Sequence, residues 1–160
     1  MLNIVLVEPE IPQNTGNISR TCSVTGTALH LIRPLGFDIS DSAVKRAGLD
    51  YWEYLDLHVY DSVDEFFCLN PACSFWLCST KAPKCYSETV FKDGDFLIFG
   101  KETAGLPEAL LRANPERSIR IPMLAGRRSL NLSNSAAIVL YEALRQLRFP
   151  GMETKSAYFA

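Results

Sequence analysis

Short runs of apolar residues that recur between amphipathic segments place the strongest constraint on the fold of this chain. Each run has four to six residues, and most are bounded by turn-forming or charged residues, which is typical of strands buried inside a sheet. Because the intervening segments have helical spacing, the pattern predicts an α/β fold with a largely parallel sheet flanked by helices. The predicted strands are Leu2–Val7, Ala28–Ile32, Leu57–Tyr60, Phe75–Ser79, Phe96–Phe99 and Ser118–Ile121.

Capping residues mark the predicted helices. Asn14 can cap a helix that ends at Gly26, and the capping box of Ser62 and Glu65 opens another. Pro107 suits the first turn of a helix because its φ is already fixed near the helical value. The predicted helices are Asn14–Gly26, Ser40–Gly48, Ser62–Leu69, Pro107–Leu111 and Leu132–Leu147.

The composition fits one folded domain that needs neither disulfides nor a metal. Of 160 residues, 48% are apolar and 21% charged, and we predict a domain over 1–151 followed by a tail over 152–160. The five cysteines are odd in number and form no CxxC pair, so we interpret them as buried free thiols. With two histidines, both in predicted strands, a zinc site has few ligands, and no metal is expected.

Charge and hydropathy narrow the class of partner. Glu8 and Pro9 interrupt the N-terminal apolar run, which is too short for a signal peptide or a membrane span, so we expect no membrane and a cytoplasmic location. The net charge of −2 argues against a nonspecific nucleic-acid coat but allows a local basic patch. Cationic residues cluster at Lys45–Arg46, Arg112, Arg117, Arg120 and Arg127–Arg128, where a solvated charged face is the simpler interpretation.

Three segments carry more glycine, serine and asparagine than their connections require. Residues 14–20 combine a helix N-terminus with Asn14 and Arg20, which could reach one anion together. Residues 99–107 place two glycines after a strand. The third segment comprises residues 119–123 followed by 127–135, and its second part holds more polar side chains than one helix cap needs. Simpler interpretations are an N-cap with a surface arginine, a strand-to-helix turn and a tight chain crossing.

These segments lie where a parallel sheet binds ligands, beyond the carboxyl ends of strands. The segment 99–107 is not a Walker loop because no GK[ST] closes it, and the GxGxxG pattern of dinucleotide sites is absent. An α/β protein that binds ATP or NAD is therefore a weaker alternative.

In this order, the three segments resemble the three motifs of the SPOUT superfamily of RNA methyltransferases. The resemblance is closest to the small YibK-like, TrmL-type tRNA ribose 2′-O-methyltransferases, and it extends to residues 8–17 and 46–51. It covers about residues 2–151, and the ordered combination of motifs is far more specific than any one of them.

The resemblance implies a SPOUT fold, whose C-terminal part forms a deep trefoil knot that holds S-adenosylmethionine in a bent shape. The family's cofactor contacts correspond here to Cys78, Gly100, Ile121 and Ser129. Gly100 would let the backbone approach the adenosine closely, and Ile121 would supply an apolar wall. Cys78 departs from the leucine that is commoner at its position.

The resemblance also implies a homodimer with shared active sites, in which Arg20 of one subunit faces the cofactor of the other. Arg20 is then the candidate general base, or the group that clamps a phosphate and stabilises the developing alkoxide; an arginine that stays protonated favours the second role. Asn14 would orient Arg20. Glu102, Ser129 and Asn131 would arrange the loops and the ribose.

The implied substrate is the ribose 2′-hydroxyl of the wobble nucleotide, cytidine or modified uridine, in the anticodon loop of tRNA, with leucine tRNAs expected. Alternatives are another RNA site, or a noncatalytic RNA-binding member of the superfamily. The expected RNA contacts are Lys45, Arg46, Arg127, Arg128 and Tyr141.

Overall fold

The structure is a computed structural model that describes residues 1–39 and 55–159. Within these ranges the chain forms seven strands and four α-helices. They are β1 (Asn3–Val7), α1 (Pro12–Thr25), β2 (Ala28–Ile32), β3 (Leu57–Tyr60), α2 (Val63–Leu69), β4 (Phe75–Cys78), β5 (Lys84–Cys85), β6 (Phe96–Phe99), α3 (Glu108–Ala113), β7 (Ser118–Arg120) and α4 (Leu132–Gln146).

The strands form one sheet in the order β3-β2-β1-β6-β4-β7-β5, and every neighbouring pair is parallel. This confirms the predicted α/β fold with a parallel sheet. Strands β2 and β3 lie on one side of β1, and β4 to β7 lie on its other side. The order in which strands are added therefore reverses beside β1, and sheets of this kind bind ligands at the carboxyl ends of the strands near such a reversal.

Two apolar layers hold helices on both faces of the sheet. Successive residues of β1 point to opposite faces, so Ile4 and Leu6 join one cluster while Val5 and Val7 join the other. The first cluster packs against α1 and α4, and the second packs against α2 and α3. Each fully buried aliphatic side chain contributes about 1.5–3 kcal/mol, so these layers supply most of the stabilising free energy.

The first helix begins earlier than its sequence predicts. It starts at Pro12, whose φ suits the first turn, and Ile11 is its N-cap without a side-chain hydrogen bond. The prediction that Asn14 caps this helix is therefore wrong, because its side chain bonds to other segments instead. The end at Gly26, in the left-handed conformation, is confirmed.

Other element boundaries shift by one or two residues. Ser62 caps α2 by accepting a hydrogen bond from the Glu65 amide, as predicted, whereas Pro107 is the N-cap of α3 rather than part of its first turn. The two-residue strand β5 was not predicted, because two residues cannot show an alternating pattern. The predicted helix Ser40–Gly48, with Lys45 and Arg46, lies outside the described residues.

The cysteines are free, as predicted, but most of them are not buried. Only Cys22 is fully buried, Cys68 is exposed, and the other three are half-buried. Burial raises the pKa of the Cys22 thiol to about 12, which keeps it protonated and unreactive. No helix in residues 1–39 and 55–159 is both long and apolar enough to cross a bilayer.

A buried histidine connects the first three strands. His30 stacks on His58 with ring centroids 4.6 Å apart, and its two ring nitrogens lie 3.0 Å from the Tyr60 hydroxyl and 3.2 Å from Asn3 Oδ1. Since Asn3 Oδ1 can only accept, we assign the proton to Nε2, and the Tyr60 hydroxyl then donates to Nδ1. The ring is thus fully hydrogen-bonded in its neutral form.

Acid should destabilise the protein through His30. Burial, and then the neighbouring His58, lower the pKa of His30 from 6.5 to about 4. Between these two pH values His30 binds a proton in the unfolded chain but not in the folded chain. The free energy of unfolding therefore falls as the pH drops from 6.5 to about 4. The loss should reach about 3 kcal/mol. It is measured by urea unfolding at several pH values.

The control variants separate the two stacked rings. His30→Gln should flatten the pH dependence in this window, whereas His58→Gln should keep most of it. An equal slope in wild type and His30→Gln would contradict the assignment.

Candidate active site

A cavity of about 740 Å³ lies at the carboxyl ends of β4, β6 and β7. Its walls are formed mainly by the ends of these strands and the segments that follow them, residues 78–81, 99–106, 119–121, 123 and 128–132, together with Ile11 and Asn14 at the start of α1. Of the polar segments found in the sequence, 99–107 and 127–135 therefore contribute long stretches to one cavity, whereas 14–20 contributes only its first residue, Asn14. The volume is within the range of pockets that enclose a small-molecule ligand.

Glu102 ties the second polar segment to the start of α1. Its carboxylate accepts hydrogen bonds from the backbone amides of Glu10 at 2.8 Å and Ile11 at 3.2 Å, and from Asn14 Nδ2 at 2.9 Å. The two amides directly precede the first residue of α1, so they have no partner within the helix. Glu102 therefore acts first as an anchor for the helix that carries Arg20.

Asn14 continues this network to the third polar segment. Its Oδ1 accepts a hydrogen bond from Asn131 Nδ2 at 2.9 Å, so both ends of the Asn14 amide are used. Asn131 Oδ1 in turn accepts from the backbone and hydroxyl of Ser133 and caps α4. The chain Glu102–Asn14–Asn131 thus joins three segments that are far apart in sequence.

Within one chain the Asn14 side chain does not bond to Arg20, so its orienting role stays a prediction for a site shared between subunits. The Asn14 side-chain amide bonds to Glu102 and Asn131. Within the described part of the chain, Asn14 and Arg20 share no hydrogen bond. Arg20 is exposed, makes no hydrogen bond or ion pair with any described residue, and does not line the cavity.

A second set of contacts fastens the same loops. Lys101 forms an ion pair with Glu8, with Nζ 2.6 Å from Oε2, and the Thr103 backbone and hydroxyl donate to the Glu10 carboxylate. The ion pair raises the pKa of Lys101. Glu8 adopts a positive φ of 49°, which is uncommon for a residue with a side chain. These contacts hold the connection between β1 and α1 against the loop after β6.

Gly100 is required by the loop itself. A Cβ at this position would lie 2.3 Å from the Gly105 carbonyl carbon and from the Leu106 nitrogen, because the loop folds back and pairs Lys101 with Gly105. The fold of its own loop therefore requires glycine here, and the expected contact of Gly100 with an adenosine stays a prediction. Gly100 still lines the cavity.

Most of the predicted site residues line this cavity. Those that do are Asn14, Cys78, Gly100, Glu102, Ile121, Arg128, Ser129 and Asn131. Arg20 and Arg127 do not line it, and Tyr141 is an exposed residue on the surface of α4. The structure of one chain thus assembles the predicted cofactor contacts and leaves Arg20 apart from them.

The cavity combines apolar walls with a few polar groups. Phe99, Leu106 and Ile119 are buried side chains in its lining, and Ile121 and Val139 extend the apolar surface. Burial strongly raises the pKa of the Cys78 thiol, so this residue contributes a neutral surface rather than a thiolate. Among residues 1–39 and 55–159, no cluster of histidine, cysteine or acidic side chains is arranged to hold a metal ion.

The part of the lining that follows β4 was not predicted. It consists of Ser79, Thr80 and Lys81. Their position directly after strands was the only signal available, since their residue types are ordinary for loops.

Replacing Glu102 should lower the free energy of unfolding, because the segments around the cavity would lose a shared hydrogen-bond acceptor. Glu102→Gln keeps the shape but turns one oxygen into a donor that faces N–H groups, so we expect the free energy of unfolding to fall by about 2 kcal/mol. Urea denaturation measures this loss. Glu116→Gln, which changes an exposed carboxylate outside the network, is the matched control. Equal stability of the two variants would show that the network contributes nothing.

Comparison with known proteins gives a family and close relatives. The model of the SpoU rRNA Methylase family matches residues 1–141. A tRNA (cytidine(34)-2′-O)-methyltransferase from Saccharophagus degradans is 49% identical over 152 residues, which cover 94% of this chain and 99% of the relative. A Geobacillus stearothermophilus protein that bears the same name provisionally is 53% identical over 154 residues, 94% of this chain and 98% of the relative.

Two solved structures share the fold. One, which gives structural insights into the 2-OH methylation of C/U34 on tRNA, is 45% identical, with a TM-score of 0.86 over 92% of this chain and 97% of that chain. The SpoU methyltransferase AviRb from Streptomyces viridochromogenes, in complex with the cofactor AdoMet, is 26% identical, with a TM-score of 0.79 over 92% of this chain and 61% of that chain. The sequence resemblance is confirmed, and the chain belongs to the SpoU rRNA methylase family.

Proposed function

We propose that this protein transfers the methyl group of S-adenosylmethionine to the ribose 2′-hydroxyl of nucleotide 34, the wobble position, in the anticodon loop of tRNA. The observation that carries the proposal is the cavity at the carboxyl ends of β4, β6 and β7, which collects the cofactor contacts predicted at Cys78, Gly100, Ile121 and Ser129. Relatives about 50% identical over nearly the whole chain carry the name of this activity.

The residues of the cavity fit a nucleoside cofactor. Its volume suits a ligand of that size, its apolar wall can cover an adenine ring, and backbone groups at Gly100 and Ser129 can read the ring edge. When bound, S-adenosylmethionine supplies an electrophilic methyl group on a sulfonium. The chain's own part is to position the ribose hydroxyl and to stabilise the negative charge that develops on its oxygen.

Arg20 would provide that stabilisation from the neighbouring subunit. Its guanidinium is exposed, has no acidic partner in the described part of the chain and lies outside its own chain's cavity. On α4, Ile138 and Tyr141 are exposed apolar side chains one turn apart, which suits a helix that packs against a second copy. A two-fold dimer would give two equivalent sites, each with an arginine from the partner.

The same proposal includes the trefoil knot and the RNA surface. The segment after β7 returns to the cavity and bonds to Asn14 through Asn131, as expected of a chain that threads back through the loops after β4 and β6. Arg127 and Arg128 are exposed on the connection between β7 and α4 and would contact RNA phosphates, with Tyr141 as a stacking candidate. We assign the activity to a domain over 1–151 that acts in the cytoplasm.

The test is methylation of tRNA that lacks this modification. Purified protein is incubated with labelled S-adenosylmethionine and undermethylated tRNA, and the label is located by nuclease digestion and mass spectrometry. We expect a 2′-O-methyl group at nucleotide 34, first on leucine tRNAs. An anticodon stem–loop with a 2′-deoxyribose at position 34 is the matched control and should remain unlabelled.

Other outcomes separate the alternatives. Label at another nucleotide, or on a base, would contradict the proposed position and favour a different RNA site. Binding of cofactor and tRNA without any transfer would favour a noncatalytic RNA-binding protein.

A further inference from the structure

Arg120 is a cation that the cavity holds without an acidic partner. It is the last residue of β7, half-buried, and it lines the cavity. It makes no side-chain hydrogen bond or ion pair with any residue in 1–39 or 55–159. Its backbone is fixed, because β7 pairs with β4 on one side and with β5 on the other, where Arg120 lies opposite Cys85.

The other charged groups of the lining do not neutralise it. Lys81 pairs with Glu108 at 2.7 Å, and Lys101 pairs with Glu8 at 2.6 Å. Glu102 is the acidic residue in the lining, and its carboxylate already accepts three N–H donors. Arg128 is also unpaired in the described part of the chain, but it is exposed and belongs to a loop rather than to a strand.

An arginine in this setting favours an anionic ligand. Partial burial removes water from the guanidinium, and charged groups in such positions are normally paired. A guanidinium presents N–H donors in a fork that matches two oxygens of a carboxylate or a phosphate. Because the strand holds the backbone of Arg120 in place, little further ordering is needed to form that contact.

We propose that Arg120 binds an anionic group of a ligand in the cavity, either the carboxylate on the amino-acid part of the methyl donor or a phosphate of the RNA. The assignment rests on the proposed function. It makes Arg120 a ligand-binding residue in addition to the four predicted cofactor contacts.

Calorimetry with two cofactors distinguishes the sources. Wild type, Arg120→Gln and the control Arg117→Gln are titrated with S-adenosylmethionine and with decarboxylated S-adenosylmethionine. Arg117 is exposed and lies over the Phe75 ring, outside the cavity. Binding of an anticodon stem–loop is measured at several salt concentrations. Melting temperatures are compared first, and Arg120→Lys, which keeps the charge but loses the fork, replaces Arg120→Gln if that variant does not fold.

If Arg120 binds the carboxylate, Arg120→Gln should bind S-adenosylmethionine about 10-fold or more weakly than wild type does, and it should bind the decarboxylated cofactor with wild-type affinity. If Arg120 binds a phosphate of the RNA, Arg120→Gln should keep wild-type affinity for both cofactors. It should bind the stem–loop more weakly, and the dependence of log affinity on log salt concentration should fall in slope by about one. Wild-type affinity for all three ligands in a folded variant would overturn the proposal. If wild type bound no cofactor, the proposed function would fall, and the stem–loop titration would still decide the role of Arg120.

Discussion

Replacement of Arg20 by alanine should lower the rate of methyl transfer by about 100-fold or more, the effect of removing a group that stabilises transition-state charge. The affinity of the same chain for cofactor should stay within about two-fold, because Arg20 does not line its own cavity. Arg20→Lys should also be strongly impaired, since a lysine does not reproduce the guanidinium fork. Single-turnover kinetics with saturating cofactor measure the rate. The exposed Arg112→Ala, on α3, is the control.

Mixing two inactive variants tests whether Arg20 acts across a dimer. Ile121→Trp would fill the cavity of its own chain and keep Arg20, while Arg20→Ala keeps the cavity. If Arg20 completes the partner's site, random mixing should restore about a quarter of the wild-type sites, because half of the dimers are mixed and each has one intact site. No recovery in a mixture that forms dimers would place Arg20 in its own chain's site, and near-normal turnover of Arg20→Ala would remove it from the mechanism.

The second large effect is expected at Gly100. Gly100→Ala places a Cβ 2.3 Å from the backbone of Gly105 and Leu106, and neither backbone can move without opening the loop that lines the cavity. We expect the free energy of unfolding to fall by about 3 kcal/mol or more, with loss of cofactor binding. Urea unfolding and calorimetry measure the two effects.

Gly94→Ala is the matched control for this substitution. Gly94 has a φ of 87°, but a Cβ there meets no atom within 4 Å, so it should cost only the backbone strain of about 1–2 kcal/mol. Equal costs at Gly94 and Gly100 would contradict the steric explanation.

The sheet could be predicted from sequence because each long strand carries its own signal. An apolar run such as Phe96–Phe99 is buried on both faces, so the pattern directly reflects its surroundings. The start of α1 could not be predicted in the same way. Asn14 has the residue type of a helix cap, but its partners Glu102 and Asn131 lie 88 and 117 residues away in the chain. A local pattern does not contain contacts of that range.

The same limit applies inside the site. The residue types at Gly100, Ser129 and Asn131 marked the right loops, since surplus glycine and polar residues at strand ends need a reason. The role of Gly100 depends on where its loop turns back, and the isolation of Arg120 depends on which acidic groups are already engaged. Both are properties of the assembled loops rather than of any one segment.

Asn131 has a consequence for how a ligand can reach the cavity. It is the N-cap of α4 and also donates to Asn14, so the wall on that side is fastened both to a long helix and to the start of α1. The stretch 124–128 between β7 and α4 is exposed throughout and contains Gly126 at a positive φ. Small molecules should therefore enter and leave the cavity past this stretch. RNA bound to its basic side chains would cover the same route, so that binding of RNA would slow the release of the methyl donor.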